Sequence, residues 1–334
     1  MWTLRAAQAD DLPGLVELAG AAGPGLTTFP ADADRLAQRL AASAAGDEPL
    51  LVLCDPSQQV RGVSGLVRRV GDAARHEPFY AYRLERTIHH SDGLGVRKEV
   101  EALHLVAEYD GPSEVGTLFL HPDARGGGLG RLLSLGRFLL MANNPEHFQP
   151  GVIAELRGVV DGQGQSPFWD ALGSHFFGVS YADADARSSR DKRFIAELMP
   201  THPIYVPLLP ESARSVIGRV HPNTAPAKRL LESEGFYATN LVDIFDAGPA
   251  VRCDVAAIRT VRRSRRGRCL IDPNITADES GDTLACRTAG SFVAVRCYAA
   301  VPDRDDEDVH LSPAAAKALG LQDGEAIRVS PLRG

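Results

Sequence analysis

The sequence predicts an α+β fold, on three observations. The chain opens strand–helix–helix–strand–strand. A glycine-rich loop, Arg125 to Gly130, joins a strand to an amphipathic helix, and a smaller strand–helix order recurs after about residue 178.

Taken in order, Trp2–Ala6 alternates as a short strand. Asp10, Asp11 and Pro13 start a helix carrying Leu12, Leu15, Val16 and Leu18. A second helix follows Pro30, with Leu36, Leu40 and Ala41 on one face. Leu50–Cys54 and Val60–Leu66 read as strands around a Pro56-Ser57 turn. Residues 74–102 are rich in Arg, His and Tyr, and their weak periodicity predicts no element. Val115–Leu120 is a strand that runs into HPDARGGGLG and a helix ending near Ala142. Val152–Leu156 is a further strand, and Ser166 caps a helix to Leu172 with Pro167 in its first turn. Phe194–Met199 predicts a strand, Pro210–Ile217 a helix, and Ala225–Glu234 a helix ended by Gly235. Leu241–Phe245 is another strand. An arginine run (259–268), a polar segment (Asp272–Asp282), the stretch Phe292–Ala299 and a closing helix–strand complete the chain. Boundaries near 178 and 264 divide it into 1–178, 179–263 and a small module, 264–334.

The 334 residues suffice for two or three domains. With 36 Lys and Arg against 43 Asp and Glu, the net charge of −7 argues against a general nucleic-acid or anionic-membrane binder. No apolar run approaches the ~20 residues of a bilayer span. The N-terminus lacks the basic-then-apolar layout of a signal peptide, so a cytoplasmic location is expected. The five cysteines, Cys54, Cys253, Cys269, Cys286 and Cys297, show no CxxC spacing and read as reduced core thiols. No metal is expected, because His89 and His90 would point apart on a strand and no HxxxH or His–carboxylate cluster occurs.

The loop carries the strongest chemical signal. Gly126, Gly127, Gly128 and Gly130 put no Cβ between backbone N–H groups and an incoming ligand, and the helix beginning at about Gly130 adds its positive dipole end. A pyrophosphate is a natural partner, although a plain connecting turn would share the composition. There is no GxxxxGK[ST], and Arg131 stands where a GxGxxG needs glycine.

The observed Arg125-x-x-Gly128-x-Gly130 resembles the pyrophosphate loop of the GCN5-related N-acyltransferases, which bind coenzyme A. Phe168–Gly173 and Ala227–Phe236 both resemble that family's closing helix, which implies two acyltransferase-like units in tandem, the second without its own loop. Relatives commonly protonate the departing thiolate with a tyrosine of this helix. Trp169 and Leu231 occupy that place here, so another acid is needed. His221 is the candidate: it sits between two helices in a Pro222/Pro226 turn, and an imidazole near pKa ~6.5 suits proton transfer. A capping or surface histidine is the competing reading.

The motifs taken together resemble the arginine N-succinyltransferases. They are GLTTFPAD (25–32), VGTLFLHPD (115–123), AELRGVVD (154–161) with SPFW (166–169), FIAELMPTHPIY (194–205), IGRVHPNTAPAKRLLESEGF (217–236) and DIFDAGP (243–249). The resemblance implies succinyl-CoA as co-substrate, the α-amine of L-arginine as acceptor, and N2-succinylarginine and CoA as products. It places the proton donor on His221 and the succinyl-CoA contact on Leu118, with Phe119 and Leu120 on the same strand. Residues 264–290 match poorly. A guanidinium acceptor asks for a carboxylate, for which Glu155, Asp161 and Glu197 are candidates, and Arg157 is a candidate for the donor's succinyl carboxylate. Oligomerisation, with itself or a paralogous subunit, is implied as well. Two other readings stay open: ornithine or another basic amino acid as acceptor, and a nucleic-acid or regulatory role for the six arginines within 259–268.

Overall fold

The computed structural model describes residues 1–22, 26, 28–74, 76–188, 192–275 and 281–332. Gly25 and Thr27 of the GLTTFPAD stretch, and 276–280 of the polar segment, lie outside them. The chain divides into two compact units: Met1–Arg68, Ser113–Val152 and Asp254–Gly334 form the first, and Arg69–Pro112 with Ile153–Cys253 the second.

In the first unit the strands lie in the order Glu307–Leu311, Arg265–Ile271, Ala326–Pro331, Thr283–Arg287, Val293–Cys297, Thr3–Ala6, Leu50–Cys54, Val60–Val67, Ser113–Leu120. The pairs are antiparallel, apart from Arg265–Ile271 with Glu307–Leu311, which run parallel. Leu50–Cys54 is buried along its whole length, as a run of five apolar residues requires. Helices Leu12–Ala22 and Ala33–Ala45 pack Leu15, Leu18, Leu36 and Leu40 against it. Asp32 caps the second of these, its Oδ1 accepting the N–H groups of Asp34 and Arg35 at 3.1 Å. Leu129–Asn143 is the helix after the glycine loop.

The second unit has the order Gly151–Glu155, Pro249–Asp254, Tyr237–Val242, Phe79–Ser91, Val96–Glu108, Ile204–Tyr205. Its core gathers Tyr82, Phe168, Trp169, Ile195, Met199 and Ile244. Three features depart from the sequence expectation, the first being that the strand read at Leu241–Phe245 is instead Tyr237–Val242, with residues 243–245 outside it. Residues 79–108 form one long hairpin, paired from Phe79↔Glu108 to Ser91↔Val96. Phe194–Met199 is not a strand: Arg193–Leu198 is helical, and Ile195 and Met199, four apart, are both buried. A six-residue stretch that is apolar except for Glu197 does not distinguish the two periods.

The five cysteines are buried, and burial pushes the thiols of Cys286 and Cys297 up to about 12. Among the described residues no disulfide and no group of three metal-ligating side chains occurs, and no helix is long and apolar enough to cross a membrane.

Candidate active site

In the first unit the candidate donor strand is Ser113–Leu120, and its pairing with Val60–Val67 is irregular. Gly62 faces Leu120 and Val63 faces Phe119, but Gly65 faces Gly116. Ser64 alone therefore stands against Thr117 and Leu118, a β-bulge that interrupts the ladder at Leu118. Thr117 takes φ 47°, a left-handed conformation that costs a β-branched residue about 1–3 kcal/mol. Beneath the bulge lies Arg137, 2% exposed, whose guanidinium donates to the Gly116 carbonyl at 3.4 Å and to Ser134 Oγ at 2.9 Å. Its burial lowers the pKa to about 10.

Beyond Leu120 the chain turns through Pro122–Ala124 into the loop. Gly126, Gly127 and Gly128 have φ of 111°, 55° and 86°, a left-handed run that would cost L-residues about 1–2 kcal/mol each. Arg125 and the first two glycines are exposed, while Gly128, Leu129 and Gly130 are half-buried at the helix start. Arg125 Nε donates to the Leu120 carbonyl at 3.4 Å. Arg296, from the C-terminal strand Val293–Cys297, donates to the Gly127 carbonyl and to the Gly281 carbonyl. The C-terminal module thus fixes the loop from below.

In the second unit three of the sequence motifs converge on His221. Its N–H donates to the Arg157 carbonyl at 2.8 Å, and Gly158 bridges to Val220. Gly158 N–H in turn donates to Asp246 Oδ2 at 2.7 Å, and Gly248 N–H to Asp246 Oδ1 at 2.7 Å. A Cβ on Gly158 would lie 2.4 Å from the Asp246 carbonyl oxygen, so only glycine fits there. The capping role of His221 is real: Nδ1 accepts the Asn223 N–H at 3.2 Å at the head of the Pro222–Thr224 turn. That bond also fixes the tautomer, because a neutral ring accepting at Nδ1 carries its proton on Nε2. Burial and the Arg157 cation both depress the His221 pKa below the ordinary imidazole value, so the ring is neutral at pH 7.

Asp243 and Asp246 were not among the sequence candidates, although DIFDAGP carries them. Burial and the neighbouring Asp243 charge push the Asp246 carboxyl well above the carboxylate range. Asp246→Ala would orphan the N–H groups of Gly158 and Gly248, each costing about 1–3 kcal/mol. Urea unfolding should show a loss of about 2–6 kcal/mol for this variant.

The remaining candidates are not brought together equally. Glu155 ends the strand Gly151–Glu155, half-buried and two residues from Arg157, whose buried Nε has no hydrogen-bond partner among the described residues. Asp161 is exposed, and its Oδ1 accepts the N–H groups of Gln163 and Gln165, closing its own loop. Glu197 lies on the exposed face of helix Arg193–Leu198. The arginine run is largely tied into the first unit: Arg268 pairs with Asp308 at 3.0 Å, and Arg259 and Arg265 donate to the Leu332 and Asp303 carbonyls.

Comparison with known proteins decides the family. The family model described as arginine N-succinyltransferase beta subunit matches residues 2–260, and that of its C-terminal domain matches 265–331. This chain belongs to the arginine N-succinyltransferase beta subunit family. Family membership makes it an acyltransferase. A relative from Yersinia enterocolitica, named arginine N-succinyltransferase, is 39% identical over 99% of this chain and 98% of its own. Arginine N-succinyltransferase subunit beta of Pseudomonas aeruginosa is 39% identical over 96% of each. The solved structure of arginine/ornithine succinyltransferase subunit AI from Pseudomonas aeruginosa superimposes with a TM-score of 0.88 at 33% identity, covering 100% of this chain and 99% of that one. The α+β expectation and the resemblance drawn from the motifs are both borne out.

Proposed function

We propose that this chain transfers the succinyl group of succinyl-CoA to the α-amine of L-arginine, releasing N2-succinylarginine and CoA. The observation that carries this reading is the full-length match to a relative named arginine N-succinyltransferase. In this reading Arg125, Gly126, Gly127, Gly128, Leu129 and Gly130 receive the pyrophosphate. The pantetheine arm and thioester lie along Leu118, Phe119 and Leu120, where the bulge interrupts the ladder and offers backbone N–H to the oxyanion.

The neutral amine attacks the thioester carbonyl carbon, the C–N bond forms and the C–S bond breaks. His221 is the proton donor to the leaving sulfur through Nε2–H, once Nδ1 has taken up the proton shed by the attacking nitrogen and released the Asn223 N–H, so that the ring donates as imidazolium and returns to neutral. The proton shed by the attacking nitrogen balances the one taken up by sulfur, so the imidazole ends the cycle neutral. Glu155 is the guanidinium partner that burial favours, with Asp161 and Glu197 behind it because their positions are exposed. Arg157, beside His221, offers its cation to the acceptor's carboxylate rather than to the donor's succinyl carboxylate for which the sequence put it forward. An assembly with a second copy or a paralogous subunit is part of the proposal, on the strength of the word subunit in the relatives' names.

Ornithine is the second acceptor reading, favoured by the name of the solved relative. Thiol release by the purified protein should be fastest with succinyl-CoA and arginine. Faster turnover of ornithine would reverse the acceptor, and a preference for acetyl-CoA would overturn the donor.

A further inference from the structure

We infer that Arg39 reads the distal carboxylate of the acyl donor and so sets the preference for a succinyl over a neutral acyl group. The inference rests on the proposed reaction and assigns it a specificity residue.

Arg39 sits in helix Ala33–Ala45, three residues after Leu36 and one before Leu40, so its stem leaves the helix beside the core face. Its guanidinium reaches the strand pair at the bulge. One Nη donates to Thr117 Oγ1 at 2.9 Å, and the other donates to the Thr28 carbonyl. A Cβ on Gly65 would lie 2.6 Å from Nη2, so that glycine makes room for the cation. The residue therefore ties two family motifs, GLTTFPAD and VGTLFL, and fixes the side chain of a strained residue adjoining Leu118.

The charge is incompletely matched. Among the described residues Nε, which is buried, has no hydrogen-bond partner. Among the described residues Arg39 forms no ion pair. Glu48 and Glu114 act on it only through their fields, and burial lowers its pKa. An unmatched guanidinium in that position calls for an acceptor brought by a ligand, and a carboxylate suits the fork. The reach is right as well. Three C–C bonds of about 1.5 Å separate a succinyl carboxylate from its thioester carbon, and neighbouring Cα atoms such as those of Thr117 and Leu118 are about 3.8 Å apart. A thioester held at Leu118 therefore leaves its carboxylate one residue's distance away, on the scale of the Thr117–Arg39 contact.

The test compares succinyl-CoA with butyryl-CoA, which has the same number of acyl carbons and no charge, in the full-length enzyme with arginine as acceptor. Arg39→Gln should lower kcat/KM for succinyl-CoA by about 10–100-fold, the range of a lost charge-assisted hydrogen bond. Butyryl-CoA turnover and the affinity for free CoA should change less than about threefold on the same scale. Arg39→Lys should recover part of the succinyl preference. Arg39→Met, which keeps the stem's packing, makes the same measurement should the Gln variant not fold. An equal fall with both donors would mean that Arg39 only clamps Thr28 to Thr117, and the inference is then wrong. A wild-type enzyme with no preference for succinyl-CoA would instead overturn the proposed function, whatever the variants do.

Discussion

His221→Ala is expected to lower kcat by ~10²–10⁴, the range for removal of a general acid–base group. Nothing in the first unit changes in this variant, so the affinity for CoA should stay within about twofold, a small fraction of that range. The geometry also sets a pH signature. Burial and Arg157 both disfavour the imidazolium, so the folded pKa lies below the ordinary ~6.5. Above that depressed pKa the ring is neutral and can take up the proton the amine sheds. Lowering the pH through it fills the ring and stops the relay. The acid limb of kcat therefore falls below pH ~6.5 in the wild type and is absent from the residual activity of the alanine variant. Stability follows the same sign, because the unfolded chain binds the proton more readily and gains from acidification below ~6.5. A pre-steady-state and pH-profile measurement checks both; full activity in His221→Ala would put the proton donor elsewhere.

His121 makes a useful contrast. It too precedes a proline, caps a short turn, and accepts a backbone N–H at Nδ1, from Asp123 at 3.3 Å. Local sequence around the two histidines is nearly interchangeable, so pattern alone does not choose between them. Their backbones are anchored alike too, His121 N–H on the Arg61 carbonyl and His221 N–H on the Arg157 carbonyl, each at 2.8 Å; what separates them is Asp246, which holds Gly158 beside His221 from 88 residues away. Only the family resemblance made that choice available before the structure.

The loop was legible because its signal is local. Glycines at positive φ, a preceding strand and a following helix all lie within twenty residues. The hairpin at 79–108 was not, because its outer half is solvated on both faces and so has no alternation to read. Arg86 there pairs with Glu101 at 2.9 Å and Glu99 at 3.5 Å across the strands, a polar substitute for an apolar face. Asp246 was missed for a different reason. A buried carboxylate whose partners are backbone N–H groups leaves no residue-type signature in the partners. Leu118 shows both sides of this: the strand could be read from TLFL, but the bulge that matters is a register shift against Val60–Val67.

Trp169→Ala is expected to destabilise the second unit by about 3–5 kcal/mol, the cost of emptying a buried aromatic site. Trp169 is fully buried, packed against Phe177 and Phe245 with ring centroids 5.1 Å and 5.4 Å away. Its indole N–H donates to the Val179 carbonyl at 3.0 Å, and a Cβ on Gly173 would lie only 2.2 Å from its ring, so the pocket is shaped to this side chain. The sequence resemblance puts this position where other acyltransferases carry a tyrosine for the leaving thiolate. Here the side chain has no polar atom left to offer a substrate. Urea unfolding should therefore report the full loss, while kcat per folded molecule stays near that of the wild type. Trp169→Phe, which keeps most of the volume but abandons the Val179 carbonyl, should lose less, about 1–3 kcal/mol. A kcat that collapses in the phenylalanine variant at unchanged stability would show that the indole works on the reaction after all, and His221 would then no longer be sufficient as the proton source.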